Sequence, residues 1–450
     1  MGVPEASPHG VWGYPEASPH GVWGYTEASP RGAWGSPRRA HAGWGGARGG
    51  WYPLDVRIAL FTDTLGDVNG VARFVRGVAA EALASGRELT VLTSTRTAVP
   101  IQANVLNVPP TWAVPMPGYR QIELVWAPRG RLLKAAARLG PTLVHASTPG
   151  PVGMLGRGFA RANGLPLVGT YHTDFPAYVE HLFGNEGLTG LAGAFVRWFY
   201  RPFDMVLTRS GDCANRAQGV GIPRQRLRAL RPGIDLGAFD VGEVERAGAG
   251  FWGGYAGVRA GAVKCLYVGR VSVEKNLPLL ARAWPGIVRG AAGRGIDAQL
   301  IVVGDGPYLP TMRRELAGTG VGASAVFLGF RHGVELARLY RGADLFLFPS
   351  CTDTLGQVVM EAQASGLPVV VTPVGGPREV IVQGRTGVVV PANAQAWVEA
   401  VLGLLGDADR RTAMSLAARA WMRQHTFEAS FEDFWAAHRE VCDRIAPATS

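Results

Sequence analysis

The sequence predicts an α/β protein of two doubly wound parallel-sheet domains in tandem. Three observations carry this: short apolar runs alternating with helical stretches from residue 56 to about 220, a glycine-rich break at 236–262, and the same rhythm restarting at Cys265. A length of 450 residues also exceeds one ordinary core. In the first half the strands read as Val56 to Thr62, Leu143 to Ser147, Leu167 to Thr170 and Met205 to Thr208. Helical stretches follow at Ala72 to Ala84, Gly153 to Asn163 and Cys213 to Gln218. In the second half they read as Cys265 to Gly269, Gln299 to Gly304, Val326 to Phe330, Leu345 to Phe348, Val369 to Thr372 and Gly387 to Val390. Two such domains face each other across a cleft at the carboxyl ends of their strands, where open α/β sheets bind ligands.

The break, with Gly248, Gly250, Gly253, Gly254, Gly257 and Gly261, reads as a hinge or a surface excursion. At the carboxyl end Phe427, Phe431, Phe434, Trp435, His438, Val441, Cys442 and Ile445 fall at helical spacing and need a large packing partner. His438 on that face reads as a packed histidine. Residues 4 to 36 repeat an 11-residue unit with E-A-S-P and a W-G pair, too rich in Pro and Gly to bury itself. That segment reads as disordered or as a misassigned start, with a tryptophan-bearing interaction tail as the alternative.

An apolar fraction of 47% with 18% charged residues belongs to a globular protein. The net charge is +10, nearly all of it after residue 50, since the first 50 residues hold four arginines against three glutamates. This suits anionic partners, whether nucleotide phosphate, phospholipid or nucleic acid. Cys213, Cys265, Cys351 and Cys442 form no C-x-x-C pair, which suggests neither zinc nor a disulfide framework and fits a reducing cytoplasm. No apolar run approaches 18 residues and no signal-peptide pattern opens the chain, so a soluble or peripheral protein is expected.

The chemistry concentrates in S-C-T-D-T-L-G-Q-V-V-M-E-A-Q-A-S-G, Ser350 to Gly366, after an apolar strand. With a helix starting near Leu355, Asp353 lies in the loop at its positive end and Glu361 two turns along. Both can face one elongated ligand whose phosphates suit the free N–H groups of the first turn. A plain helix cap at Asp353 and a solvated Glu361 fit the same spacing. Arg270 and Lys275 follow a strand five residues apart and can offer a fork and a point charge to a diphosphate; an ordinary basic loop is the alternative. Of 45 basic residues only Lys134, Lys264 and Lys275 are lysine, so one kept here hints that a compact ammonium is wanted. D-V-N-G-V at Asp67 to Val71 precedes a helix, and Gly70 permits close backbone approach to phosphate or sugar. T-Y-H-T-D-F-P at Thr170 to Pro176 points His172 and Asp174 into the cleft, with no serine or cysteine elbow to make a hydrolytic triad.

The motifs F-P-S-C-T-D-T-L-G-Q-V-V-M-E-A (from Phe348), A-S-G-L-P-V-V (from Ala364), V-G-R-V-S-V-E-K-N (from Val268) and G-D-G-P (from Gly304) stand in family order. With them the sequence resembles family 4 of the retaining glycosyltransferases over roughly residues 54 to 445. The resemblance implies the GT-B fold, two Rossmann-like domains facing across a cleft with a carboxyl-terminal helix crossing back to the first. The division would be a tail at 1–50, an acceptor-side domain at 51–240, a nucleotide-sugar-binding domain at 241–425 and the returning helix at 426–450. It implies that Asp353, where the family has Glu, contacts the donor sugar, together with Thr354, Leu355 and Gly356 at the helix start. Glu361 would take the nucleotide ribose, Arg270, Lys275 and Gly70 the diphosphate, and His172 the sugar near the reaction centre. Asp174 would orient its loop, Gly233 to Asp235 would be architectural, and Gly329 to Arg331 would border the base.

The expected donor is of the GDP-mannose or UDP-glucose type, with no metal and no cofactor. Attack would come from the front face, with the departing phosphate helping to deprotonate the acceptor. Basic amphipathic stretches at Arg129 to Leu139 and Phe195 to Phe203 suggest a lipid or glycan acceptor and contact with an anionic membrane at its inner face, though each also fits an ordinary amphipathic helix. A nucleotide-sugar epimerase of the same fold is the nearest rival. A phosphorylase lacks an evident pyridoxal phosphate lysine; a basic nucleic-acid-binding protein is the remote non-enzymatic alternative, and no nucleic-acid partner is expected because no recognition motif is present.

Overall fold

The protein is seen in a computed structural model that describes residues 56–67, 69–116, 119–177, 179, 185–237, 239 and 249–445. The repeat and the tail at 1–50 lie outside the described residues, as do 238 and 240–248 of the glycine-rich break. The described residues all fall in one unit, Pro53–Ser450.

The first domain runs β1 (Ile58–Thr62), α1 (Gly70–Ala84), β2 (Leu89–Thr93), β3 (Val105–Asn107), a hairpin of β4 (Trp112–Met116) and β5 (Tyr119–Trp126), and α2 (Arg129–Arg138). It continues through β6 (Leu143–Ala146), α3 (Pro151–Ala162), β7 (Leu167–Tyr171), α4 (Glu186–Tyr200), β8 (Met205–Thr208), α5 (Gly211–Gly219) and β9 (Leu227–Ala229). Its seven-stranded sheet has the order β3-β2-β1-β6-β7-β8-β9, parallel at every pairing. Both faces are covered, so β1 is buried throughout. Ile58 and Leu60 join one core with Phe74 and Val78 of α1, whereas Ala59 and Phe61 join another with Val152 of α3 and Phe199 of α4. Strand alternation therefore feeds two cores from one run.

After a short α6 (Ala249–Trp252) the second domain follows with β10 (Val263–Val268), α7 (Leu277–Ala292), β11 (Ala298–Val303), α8 (Leu309–Gly318), β12 (Ala325–Gly329) and α9 (Gly333–Gly342). Then come β13 (Leu345–Phe348), α10 (Gln357–Ala364), β14 (Val369–Val371), β15 (Gly387–Val389), α11 (Ala394–Leu405) and α12 (Ala408–Met422). The six-stranded sheet has the order β12-β11-β10-β13-β14-β15. The last helix, α13 (Phe427–Ile445), buries Phe431, Phe434, Trp435 and Val441 in the first domain's core beside Ile58 and Phe74. Where the chain returns, Ile234 bridges Thr426, and a Cβ on Gly233 would sit 2.2 Å from the Thr426 carbonyl oxygen. Only glycine fits there.

Buried His438 of α13 and His145 of β6 meet at 2.9 Å, Nε2 to Nδ1. His438 Nδ1 lies 2.6 Å from the Phe434 carbonyl and so carries the proton; its Nε2 accepts from His145, whose own Nε2 accepts from the Thr170 hydroxyl at 3.1 Å. Every ring nitrogen is satisfied with both imidazoles neutral.

The structure departs from the sequence expectation at α10, which starts at Gln357 and not near Leu355. Gly356 takes a left-handed φ of 78°, so residues 353–356 form a separate loop, pinned where the Gly376 N–H donates to the Asp353 carbonyl at 2.9 Å. β2 and the hairpin are also absent from the sequence reading, as are the three-residue strands β3 and β9, which are too short to show a period.

Candidate active site

In each sheet the strand order reverses once, at β1/β6 and at β10/β13, and a crevice opens at such a switch point. In the second domain the residues singled out from sequence leave the ends of these two strands. The loop after β10 makes a single turn at Val273–Lys275 and ends at Asn276, left-handed at φ 54°. Asn tolerates that conformation, and its side-chain amide donates to the Pro349 carbonyl at 3.1 Å, tying this loop to the one after β13. Thr352 strengthens the tie by donating to the Glu274 carbonyl at 3.0 Å.

Lys275 Nζ thereby stands 2.9 Å from both carboxylate oxygens of Asp353, which also accepts from the Ser350 hydroxyl. Arg270 reaches Glu274 at 3.5 Å. The G-D-G-P loop backs this arrangement: Gly304 has φ 128°, and a Cβ there would lie 2.0 Å from the Gly269 carbonyl oxygen. Glu361 is 1% exposed on α10; it accepts from the Tyr340 hydroxyl at 3.0 Å and pairs with Arg73 of the first domain. Burial and the Glu361 charge push the Tyr340 phenol well up, so it stays a donor.

The first domain closes the other wall. Asn69 caps α1 by accepting from the Ala72 N–H at 2.8 Å, and a Cβ on Gly70 would be 3.1 Å from Gln357 Oε1. The close approach that Gly70 permits is therefore made by a side chain of the opposite domain. His172 lies after β7, with Nε2 3.1 Å from the Ser147 hydroxyl, its ring edge-on to Phe74, and its carbonyl accepting from the Thr354 hydroxyl at 3.0 Å. Burial, then the nearby Arg209, hold its pKa down to about 3, so the imidazole is neutral. Asp174 accepts from the Tyr171 hydroxyl at 3.1 Å and pairs with Arg216 at 3.5 Å, which locks its own turn. Leu355 is buried in the core of the second domain.

The structure thus brings Lys275, Asp353, Thr354 and His172 into one bonded chain across the cleft, with Glu361 held from both sides. Gly329 to Arg331 stand apart at the end of β12, where Phe330 is exposed and Arg331 pairs with Glu335. Sequence reading missed Arg73, Tyr340, Arg209 and Glu379. Glu379 accepts from the Gly211 and Asp212 N–H groups at 2.7 and 2.6 Å, capping a helix of the opposite domain. The G-G-P-R-E run after β14 was its available signal, since Gly376 packs directly on Thr354. Among the described residues no group of three or more His, Cys, Asp or Glu is placed to hold a metal ion.

Two facing Rossmann-like domains with this constellation at the switch points define a GT-B glycosyltransferase, an enzyme that uses a nucleotide-sugar donor. Residues 262–407 match the model described as Glycosyl transferases group 1, and residues 68–238 match Glycosyltransferase Family 4. The chain belongs to glycosyltransferase family 4. It is 30% identical over 299 residues to a GDP-mannose-dependent alpha-mannosyltransferase of Mycobacterium tuberculosis, covering 65% of this chain and 73% of the relative. It is 28% identical to a sulfoquinovosyl transferase of Arabidopsis thaliana, over 83% of this chain and 71% of that one. Among solved structures, Anabaena HepE in complex with UDP and glucose superposes with a TM-score of 0.66 at 17% identity, over 87% of this chain and 100% of that one, a likeness of fold.

Proposed function

We propose that the chain is a retaining, metal-independent hexosyltransferase. It moves mannose or glucose from a nucleotide diphosphate sugar, GDP-mannose ahead of UDP-glucose, to a hydroxyl of a lipid or lipid-linked glycan. The observation that carries the reading is Lys275 bonded to both oxygens of Asp353 at 2.9 Å, at the β10/β13 switch point facing the neutral His172. In this reading Lys275 and Arg270 balance the diphosphate, Asp353 and the 354–356 loop hold the sugar hydroxyls, and Glu361 takes the ribose once Arg73 releases it. A neutral His172 offers hydrogen bonds to the sugar without adding charge. The acceptor oxygen bonds to the anomeric carbon on the face that the phosphate oxygen leaves, and the acceptor proton passes to that phosphate. The mannosyl donor is the one in the name of the mycobacterial relative.

Turnover on a panel of nucleotide sugars, with and without EDTA, and the anomeric configuration of the product test this. We expect one donor to dominate, EDTA to change the rate less than about twofold, and the configuration to be kept. A strict divalent-metal requirement, or inversion, overturns the corresponding part.

The acceptor side of the reading rests on α4, where Leu188, Leu191, Phe195 and Trp198 are exposed along one face and Arg157 stacks 4.2 Å over Trp198. Such a face suits an anionic lipid surface. α2 turns Leu132 and Ala136 inward, as an ordinary amphipathic helix does. No helix among the described residues is long and apolar enough to cross a membrane. All four cysteines are free, in keeping with a cytoplasmic location at the inner face. Binding to phosphatidylglycerol vesicles should fall with added salt and drop at least about tenfold in Leu191→Glu/Trp198→Glu. Equal binding by that variant removes α4 as the contact.

A further inference from the structure

Arg209 follows β8 as His172 follows β7, and the register Tyr171↔Thr208 sets the two side by side at the carboxyl edge of the first sheet. It is 3% exposed, and its guanidinium lies 3.9 Å over the Phe74 ring. Its Nε and Nη2 have no hydrogen-bond partner. A buried, unpaired guanidinium is costly, and it does not relieve itself by losing a proton: burial brings its pKa down only to about 10.

The carboxylates around the cleft are already engaged. Asp63 accepts from Thr148, Val152 and Gly153, Asp174 pairs with Arg216, and Glu361 with Arg73 and Tyr340. Glu379 caps α5, and Asp353 holds Lys275. None of them is bonded to Arg209. The free Nε and Nη2 form the edge of the planar guanidinium that meets two oxygens of one oxyanion with parallel hydrogen bonds. The diphosphate partners, Arg270 and Lys275, belong to the opposite sheet.

We propose that Arg209 is a specificity residue that binds an anionic substituent, a carboxylate, sulfonate or phosphate, carried by the acceptor or, where the transferred hexose is a charged derivative of mannose or glucose, by that sugar. The inference rests on glycosyl transfer in this cleft. Both nitrogens are covered here, so the anion reaches them as the domains part across the Thr354–His172 contact.

Two measurements on the full chain test it. The first is thermal unfolding with methanesulfonate, acetate or inorganic phosphate as probe. Wild type and Lys275→Gln should be stabilised by at least one anion, whereas Arg209→Met should not respond and should melt above wild type without anion, because an unpaired charge has been removed. An equal response in Arg209→Met and wild type overturns the site.

The second compares kcat/KM for UDP-glucose against UDP-glucuronate, and for diacylglycerol against phosphatidate. The anionic member of one pair should be preferred in wild type, and Arg209→Gln should lower it about 30-fold more than its neutral counterpart. The donor pair or the acceptor pair then identifies the source. An equal loss for all four substrates reduces Arg209 to a structural residue. If wild type turns over neither these donors nor GDP-mannose, the transfer reading fails, while the anion titration still decides whether Arg209 binds an oxyanion.

Discussion

Asp353→Ala is expected to lower sugar transfer by about 10³-fold or more, the scale of removing a preorganised contact to the reacting group. Its two oxygens are the acceptors that hold Lys275 Nζ at 2.9 Å, and Ser350 and the Gly376 N–H fix the loop around them. Truncation removes the group assigned to the sugar and leaves Lys275 with its full charge toward the diphosphate. Nucleotide diphosphate affinity should therefore stay within about threefold, so the loss falls on kcat and not on binding. Single-turnover rates with a calorimetric titration of GDP and UDP separate the two. Asp353→Glu restores the residue type of the family pattern on a longer arm; it should retain more activity than Asp353→Ala and shift donor preference. Unchanged turnover in Asp353→Ala removes its assigned role.

The second large effect is acid lability. His145, His172 and His438 are all buried and neutral, with pKa values held well below normal, at about 3 and at about 4 respectively, chiefly by burial. In the unfolded chain each titrates near 6.5, so below that pH the unfolded state binds more protons than the folded one. Their contribution is fully present above pH 6.5 and is lost as pH falls toward 4. Three such groups give a limiting slope of about 4 kcal/mol per pH unit, enough to exhaust an ordinary domain's stability within a few units. Asp63, whose carboxyl burial pushes up, works in the opposite direction, but only in the range where it titrates. Urea midpoints should hold from pH 7.5 to about 6.5 and then fall steadily to pH 5, and His438→Gln should flatten that slope by one proton. A flat profile in wild type contradicts the neutral relay.

What was legible in the sequence was local along the chain. The switch from apolar run to helix fixed β13 and α10 to within two residues, and it placed Asp353 and Glu361 on one segment beside a strand end. The spacing of Arg270 and Lys275 likewise put both in one loop, though not the left-handed turn at Asn276 that aims Lys275. Contacts set by the docking of one domain on the other left no periodic trace. Arg73 and Glu361 lie 288 positions apart, and nothing local marks either as the other's partner. Arg209 was hidden for a different reason: in a chain with so many arginines only burial distinguishes one from the rest.

Asp63, near the start of the first domain, decides where charge can go. It occupies the amino end of α3 with bonds to the Val152 and Gly153 N–H groups, and Glu379 does the same for α5. Asn69 fills the end of α1. The dipoles that a phosphate would seek in the first domain are thus already answered by the protein's own oxygens. At α10 the first residue follows Gly356, which has no side chain to offer. An anion entering the cleft would therefore meet competition on one wall and, on the other, the Gln357 and Val358 N–H groups that no side chain caps, a left-right asymmetry that would orient a polar donor before any specific side chain touches it.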